Sequence, residues 1–207
     1  MKINEIFYSL QGEGTQIGLP TVFIRTSGCN LRCDWCDTKY AWDGGEEYTT
    51  QEILAEISNH PVKRVCITGG EPLIQDDLLD LIDKLVQSYE ISIETNGSLD
   101  IGPISKREVH ISMDYKTPSS GMCEKMRDEN IDLLKNTDVL KFVIADEDDY
   151  GFAKETIKKL DPSSEIVFQP VHGIDLKDLA EWVIEDGIDV RVLPQLHKLI
   201  WGDKKGV

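Results

Sequence analysis

The sequence contains no apolar stretch of about 18 residues, the shortest run that indicates a membrane-spanning helix. Its first residues lack the apolar core of a secretion signal. Basic residues are also scarce, since 22 Lys and Arg stand against 38 Asp and Glu, and no run of Lys or Arg is longer than a pair. Nucleic-acid affinity depends largely on such residues neutralising phosphates. We therefore expect a cytoplasmic protein with neither a membrane nor a nucleic acid as partner.

Cysteine is the other sparse residue type, with five among 207 residues. In a cytosolic chain, this usage indicates metal binding or redox chemistry rather than a disulfide framework. The hydrophobic content of 40% and charged content of 29% are typical of a globular protein. The length predicts one domain spanning residues 1–207.

Three of the five cysteines are clustered. Cys29, Cys33 and Cys36 have the spacing CxxxCxxC and follow an apolar run. A [4Fe–4S] cluster normally takes one cysteine per iron, so three ligands leave one iron open for chemistry. A structural zinc site would need a fourth Cys or His at a matching spacing. A thioredoxin-like dithiol would leave Cys29 unused, and an electron-transfer cluster would normally have a fourth cysteine.

Short β-branched runs alternate with helical patterns, which predicts an α/β protein with parallel strands. The predicted strands are Thr21–Thr26, Arg64–Thr68, Ile91–Glu94, Val109–Met113, Leu140–Ile144, Glu165–Gln169 and Asp189–Leu193. The predicted helices are Thr49–Ser58, Asp77–Tyr89, Glu124–Leu134, Tyr150–Leu160 and Leu176–Ile184. Ile3–Leu10 is expected to be extended, and Gly44–Glu47 to be a loop. A closed eight-fold barrel typically needs about 250 residues, so we expect an open partial barrel of about six parallel strands.

The glycine-rich and polar segments all follow predicted strands. They are Cys29–Cys36, Gly69–Pro72, Glu94–Gly97, Asp114–Lys116, Gln169–Pro170 and Pro194–His197. Because ligands bind beyond the carboxyl ends of parallel strands, we expect one active site at that edge. His172 and His197 belong to this edge as well, and the sequence assigns neither a role.

The cysteine triplet followed by Gly69-Gly70-Glu71-Pro72 resembles the radical S-adenosylmethionine (SAM) superfamily. The resemblance implies a [4Fe–4S] cluster whose open iron chelates SAM. The glycine pair would let the backbone approach the amino group of SAM. One electron through the cluster would then cleave SAM to a radical that removes hydrogen from the substrate.

A narrower resemblance, to the 7-carboxy-7-deazaguanine synthase family, covers nearly the whole chain. It rests on the segments Phe7–Gly14, Phe23–Leu31, Cys36–Thr38, Tyr115–Gly121 and Phe168–Pro170. It implies a radical ring contraction of 6-carboxy-5,6,7,8-tetrahydropterin to 7-carboxy-7-deazaguanine, with loss of ammonia, in queuosine-type biosynthesis. The alternative is another radical SAM reaction, such as glycyl-radical formation on a partner enzyme.

The same resemblance implies the site residues. Cys29, Cys33 and Cys36 would hold the cluster, and Thr38 would bind Mg²⁺, a cation that keeps several waters. The implied catalytic residues are Arg25 and Glu13. The implied substrate-binding residues are Leu10, Gln11, Gly12, Arg25 and Thr68. The residues implied in cofactor binding are Trp35, Asp37, Gly70, Asp114, Tyr115, Lys116 and Gln169, with Glu94 as a further candidate.

The family resemblance also implies partners, namely an external flavodoxin- or ferredoxin-like electron donor and a second copy of the chain in a homodimer. The apolar segment Leu199–Gly202 is expected to pack over the site or across the dimer interface. Cys66, inside a predicted strand, is expected to be a buried, inert thiol. Asp114–Lys116 departs from the Ser-Pro-Lys form common in the family.

Overall fold

The computed structural model describes residues 1–171 and 175–207. The strands in these residues are β1 (Lys2–Leu10), β2 (Pro20–Thr26), β3 (Glu46–Glu47), β4 (Arg64–Gly69), β5 (Glu90–Thr95), β6 (Val109–Asp114), β7 (Val139–Ile144), β8 (Glu165–Pro170) and β9 (Arg191–Val192). They form one sheet in the order β3-β1-β2-β4-β5-β6-β7-β8-β9. The α-helices are α1 (Thr50–Ser58), α2 (Leu78–Leu85), α3 (Gly102–Ser105), α4 (Glu147–Leu160), α5 (Leu176–Asp186) and α6 (Leu196–Trp201).

Most of the sheet is parallel. Every neighbouring pair from β2 to β9 is parallel, whereas β1 pairs antiparallel with both β2 and β3. Each parallel step needs a crossover, and α1, α2, α4 and α5 each lie within one. Because β3 and β9 are two separate edges, the sheet is open. The prediction of an open α/β architecture is confirmed, with six long parallel strands and the short β9.

The sheet forms the core because its strands are apolar on both faces. All six residues of β7 are buried, and its Phe142 packs edge-on against Phe168 of β8. On α2 the buried residues are Leu78, Leu81, Ile82 and Leu85, which share one helical face. Each such side chain stabilises the fold by roughly 1.5–3 kcal/mol. The loops at the carboxyl ends of the strands therefore start from a well-packed base.

Helix starts follow from capping residues. At α1, Thr49 accepts from the Glu52 amide, and the Glu52 carboxylate accepts from the Thr49 amide, so the expected capping box is present. Asp146 and Asp175 cap α4 and α5 in the same way, each through one carboxylate oxygen.

The predicted helix Glu124–Leu134 was wrong, since this segment forms two separate 3₁₀ turns, Cys123–Lys125 and Asp128–Leu133. Asn130 explains the difference, because its buried amide bonds the amide of Ile101 and the carbonyls of Gly97 and Leu99. These bonds hold the segment to the preceding loop, and a regular helix would turn Asn130 away from them.

Other boundaries also differ from the predictions. Gly44–Glu47 is not wholly a loop, because Glu46 and Glu47 pair with β1 as a charged edge strand. The helix predicted over Asp77–Tyr89 ends at Leu85, where a tight turn leads directly into β5. The last predicted strand shortens to β9, which pairs with only Val167 and Phe168.

None of the helices within residues 1–171 and 175–207 combines the length and apolar character that crossing a bilayer requires.

Candidate active site

A cavity of about 780 Å³ lies where the parallel strands end. Loops after β1, β2, β4, β5, β6 and β9 contribute to its wall, together with β7 and the start of α6. The implied site residues that line it are Leu10, Gln11, Gly12, Glu13, Arg25, Cys29, Cys33, Trp35, Cys36, Asp37, Thr38, Thr68, Gly70, Asp114 and Lys116. Segments far apart in sequence therefore meet in one space.

The cysteine triplet lies in the loop after β2. Cys33 is buried, and Cys29 and Cys36 are partly exposed. The Cys29 sulfur accepts from the Leu31 amide at 3.4 Å and from Asn96 Nδ2 at 3.9 Å. Burial raises the pKa of the Cys33 thiol, and nearby Lys116 opposes that shift. A lysine facing this thiol favours the thiolate, which is the form that binds iron.

These three cysteines fit a cluster better than a single ion. Within the described residues, no group of three His, Cys, Asp or Glu side chains is arranged to hold one metal ion. A cubane differs from such a site, because each thiolate binds its own iron and the sulfurs need not converge. All three cysteines also line the open cavity, where a cluster would have room.

The glycine pair Gly69-Gly70 lets two loops approach each other. A Cβ on Gly70 would lie 1.9 Å from the Gly28 carbonyl oxygen, directly beside the cysteine loop. The Gly70 amide also donates to the Thr26 carbonyl, and the Glu71 amide to the Gly28 carbonyl. Close contact between the β4 loop and the cysteine loop therefore requires glycine here, besides any approach of SAM.

Glu71 fastens this loop to the next strand. Its fully buried carboxylate accepts from Thr95 Oγ1, the Asn96 amide and the Leu73 amide. Burial raises its pKa to about 6, although these bonds favour the ionised form. Asn96, fixed in this way, reaches the Cys29 sulfur and Asn30 with its side chain.

Glu94 joins two of the implied substrate residues. Its two carboxylate oxygens accept from Gln11 Nε2 at 3.0 Å and from Thr68 Oγ1 at 2.8 Å. Gln11 in turn accepts from the Glu13 amide. This wall of the cavity therefore presents carboxylate and amide oxygens to a ligand.

The Arg25 side chain is held through Nε, the guanidinium nitrogen next to its aliphatic stem. Its Nε donates to Glu5 at 2.7 Å, and Tyr40 donates to the same carboxylate oxygen at 2.8 Å. Burial opposes the charge, but Tyr40 and Glu5 keep the pKa of Arg25 above its usual value. The guanidinium lies beside the Phe7 and Tyr40 rings. Its planar, charged end is thus fixed at the cavity wall.

A chain of buried charges crosses the cavity floor. Lys141 of β7 lies 2.5 Å from Glu13 Oε2 and 2.9 Å from Asp114 Oδ1. Lys116 lies 2.5 Å from the other oxygen of Asp114. Gln195 donates to the second oxygen of Glu13. The family resemblance implies Glu13 at the substrate and Asp114 at the cofactor. The two carboxylates therefore share one lysine.

Trp35 and Lys116 form the wall beside the cysteines. The Lys116 ammonium lies 5.1 Å from the Trp35 ring centroid. The indole nitrogen donates to Ser119 at 3.0 Å, and Ser119 is bonded to the buried Asp149. The indole is therefore fixed in orientation as it faces the cavity.

Thr38 lies two residues beyond Cys36 on the cavity wall. Its hydroxyl donates to Asp37 at 2.9 Å. His197 and Lys198 of α6 lie 3.8 and 4.0 Å from the same carboxylate. Burial opposes ionisation, but the nearby His197 imidazole, the hydrogen bond from Thr38 and the charge of Lys198 hold the pKa of Asp37 well below its usual range. The Thr38 hydroxyl and the ionised Asp37 carboxylate are oxygen donors of the type that a hard cation binds.

Two implied residues lie away from the cavity lining. Tyr115 turns into the core against Phe142 and Phe152, and its hydroxyl donates to Asp128. Gln169 is buried and donates to the Pro194 carbonyl, while its Oε1 has no partner among the described residues. His172 lies outside the described residues. Cys66 is fully buried, as expected.

Several residues at the site have no counterpart in the sequence-based set. Lys141 carries a signal, because a lysine inside the apolar run Val-Leu-Lys-Phe-Val-Ile is unusual. Glu5 carries only a weak one, since it lies near the start of a strand that also contains the polar residues Lys2 and Asn4. Gln195 and His197 belong to a polar segment after the last strand. Their partners are distant in sequence, so only the three-dimensional structure identifies them.

With this geometry in view, comparisons with known proteins define the class. The profile of the Radical SAM superfamily matches residues 23–142, which contain the cysteine loop and the glycine pair. The chain belongs to this superfamily, so a [4Fe–4S] cluster and SAM are its cofactors.

Full-length relatives are more specific. The chain is 42% identical to 7-carboxy-7-deazaguanine synthase from Thermoplasma acidophilum and 40% identical to the enzyme of that name from Koribacter versatilis, over the full length of each. A crystal structure of QueE from Escherichia coli superposes with a TM-score of 0.79 at 28% identity, covering 95% of this chain and 94% of that one. The chain therefore belongs to the 7-carboxy-7-deazaguanine synthase family.

Proposed function

We propose that this chain converts 6-carboxy-5,6,7,8-tetrahydropterin to 7-carboxy-7-deazaguanine with release of ammonia, using SAM, the cluster and Mg²⁺. One observation carries the proposal. The cysteine triplet, Thr38, Arg25 and the oxygens around Glu94 face the same cavity of about 780 Å³. A generic SAM-cleaving protein would need the cysteines but not this set of groups matched to a carboxylated pterin.

The substrate roles follow from charge and hydrogen-bonding capacity. Glu13 and Glu94 accept hydrogen bonds from the N–H groups of the pterin, and Gln11 and Thr68 hold Glu94 in place. Arg25 offers its planar fork to the substrate carboxylate or the pterin edge, with Glu5 restraining its inner end. Leu10 and Gly12 offer backbone groups to the ring.

Cofactor roles belong to other residues of the same cavity lining. Cys29, Cys33 and Cys36 hold the cluster, while Gly70, Trp35 and the segment Asp114–Lys116 bind SAM. Thr38 binds Mg²⁺, with Asp37 acting through water. When bound, the cluster and SAM supply hydrogen-atom abstraction, and the cation adds positive charge at the substrate carboxylate. Tyr115 and Gln169 contribute through their backbone, since neither residue is among those that line the cavity.

The electron donor is external, and we propose a flavodoxin- or ferredoxin-like protein. A homodimer is the second assembly we propose, supported by the apolar side chains Leu199 and Ile200 that α6 leaves exposed. Light scattering on the purified holoprotein tests the dimer, and a mass of one chain would reject it.

Activity is tested on protein reconstituted anaerobically with iron and sulfide. SAM, a reductant, Mg²⁺ and the carboxytetrahydropterin are added, and 7-carboxy-7-deazaguanine is sought by mass spectrometry. Cys36→Ala should abolish both the product and 5′-deoxyadenosine. Cys123→Ala, which removes a cysteine outside the triplet, is the matched control and should keep full activity. 5′-Deoxyadenosine without the deazaguanine acid would retain the superfamily chemistry and reject this substrate.

A further inference from the structure

Lys141 is a charged residue inside the buried strand β7. Its side chain is 8% exposed, and its five neighbours on β7 are buried apolar residues. Burying an ammonium costs several kcal/mol unless it is paired and hydrogen-bonded. Such a residue needs compensation from specific partners.

Both compensating partners are carboxylates from other elements. Lys141 Nζ lies 2.5 Å from Oε2 of Glu13, which follows β1, and 2.9 Å from Oδ1 of Asp114 at the end of β6. Burial alone would lower the pKa of Lys141, but Asp114 and Glu13 raise it well above its usual value. The ammonium therefore stays charged between two anions.

The backbone of Lys141 holds the same segment. Lys141 pairs in register with Asp114, and its carbonyl accepts from the Tyr115 amide at 2.8 Å. Lys116, one residue further, pairs with the remaining oxygen of Asp114. Side chain and main chain of one residue thus fix the orientation of Asp114–Lys116.

We propose that Lys141 is a positioning residue that couples the two ligand sites, holding Glu13 for the pterin and Asp114 for SAM. The inference rests on the proposed function, which assigns those two carboxylates to different ligands. Because one ammonium serves both, a shift of either carboxylate toward its ligand changes the pairing of the other. Without the ammonium, two buried like charges face each other, and each keeps one partner only, Gln195 on Glu13 and Lys116 on Asp114.

The test measures coupling rather than activity alone. SAM dissociation constants are determined on reconstituted holoprotein with and without the carboxytetrahydropterin, and their ratio reports the coupling. Lys141→Met removes the charge at similar volume, Lys141→Arg keeps it, and Lys177→Met removes an exposed lysine of α5 as the matched control.

Lys141→Met should weaken binding of both ligands by about tenfold or more and bring the ratio close to one, since typical couplings are about 5–150-fold. Lys141→Arg keeps the charge and should give a ratio above that of Lys141→Met, and Lys177→Met should keep the wild-type ratio. A purely structural lysine would lower the melting temperature without changing the ratio. If folded Lys141→Met keeps the wild-type ratio, this inference is overturned but the proposed function stands. Wild-type protein that binds SAM but not the pterin overturns the proposed function and, with it, this inference.

A second comparison decides the matter where Lys141→Met does not fold. The double variant Lys141→Met/Glu13→Gln removes one buried positive charge and one buried negative charge together. Glu13 is therefore not left as a carboxylate without its ammonium partner. The SAM dissociation constant of the double variant should exceed that of Glu13→Gln alone by about threefold or more, because Asp114 has lost one of its two ammonium partners and keeps only Lys116. Equal constants would show that Lys141 does not position Asp114.

Discussion

At the scale of single residues, the Thr38 hydroxyl is fixed beside a carboxylate whose pKa is held low. Asp37 is ionised at neutral pH because His197, Thr38 and Lys198 outweigh its burial. Thr38→Ala removes the neutral oxygen that we propose binds Mg²⁺ but leaves that anion. We expect the Mg²⁺ concentration for half-maximal activity to rise by about tenfold or more, the usual effect of disturbing a metal's supporting groups.

Thr38→Ser is the control for this prediction, since it keeps the hydroxyl and should keep the Mg²⁺ response. The visible absorbance of the cluster should be the same in both variants, because Thr38 is not one of the residues proposed to bind the cluster. Unchanged Mg²⁺ dependence in Thr38→Ala would contradict the assignment of this residue.

The buried carboxyl of Glu71 predicts a pH effect on stability. Burial raises its pKa to about 6 from 4.5, so the folded state binds a proton more readily than the unfolded state. The contribution of Glu71 is fully present below pH 4.5 and is lost as pH rises through 6. Relative to Glu71→Gln, wild-type unfolding free energy should fall by about 1 kcal/mol between pH 5 and pH 7.5.

Urea unfolding of cluster-free protein at both pH values measures this difference. Glu52→Gln, at the exposed start of α1, is the comparison. The unfolding free energy of wild type minus that of Glu52→Gln should not fall as pH rises from 5 to 7.5. If the difference in unfolding free energy between wild type and Glu71→Gln did not change with pH, the Glu71 carboxyl would ionise normally in the folded chain.

At the scale of elements, the approach of the β4 loop to the cysteine loop depends on Gly70. Gly70→Ala would drive a Cβ into the Gly28 carbonyl, and backbone cannot move aside as a flexible side chain can. We expect about 1–3 kcal/mol of lost stability and a lower iron content per chain, because the loop carrying the cysteines must shift. Iron analysis after reconstitution and thermal unfolding measure the two effects.

Gly151→Ala is the matched control, since Gly151 lies inside α4 and, among the described residues, an added Cβ there would contact nothing beyond its own helix backbone and chain neighbours. Alanine there should raise stability by about 0.5–1 kcal/mol and leave the iron content unchanged. If Gly70→Ala also kept its iron, the tight contact between the loops would not be what positions the cysteines.

Element prediction from the sequence succeeded where local patterns and tertiary packing agree. The apolar β-branched runs formed the parallel strands, and the Thr49-x-x-Glu52 pattern started α1 as expected. Glu124–Leu134 failed because a buried amide, Asn130, binds a loop thirty residues upstream in the fold's interior. No local pattern reports such a partner.

The same contrast applies to the site. Residues at strand ends were predictable, because parallel strands bring their carboxyl ends to one edge. Lys141 was not, since its role depends on the register of β6 against β7 and on where the chain places Glu13. Tyr115 shows the reverse case, in which a residue inside a matching motif turns its side chain into the core.

At the scale of the whole molecule, an open sheet leaves the site held by loops from many strands. The cavity wall includes residues from the β1, β2, β4, β5 and β6 ends and from α6. A ligand that contacts several of these loops cross-links parts of the chain that are distant in sequence. Binding to the folded state alone adds about 2.7 kcal/mol at a ligand concentration 100 times its dissociation constant.

SAM should therefore raise the melting temperature of the reconstituted protein by about 5–10 °C at that concentration, given roughly 2–4 °C per kcal/mol for a chain of this size. Cluster-free protein should respond much less, because it lacks the open iron that chelates SAM. Differential scanning calorimetry under anaerobic conditions makes both measurements. An equal shift with and without the cluster would mean that the walls of the cavity, and not the iron left open by three cysteines, hold SAM.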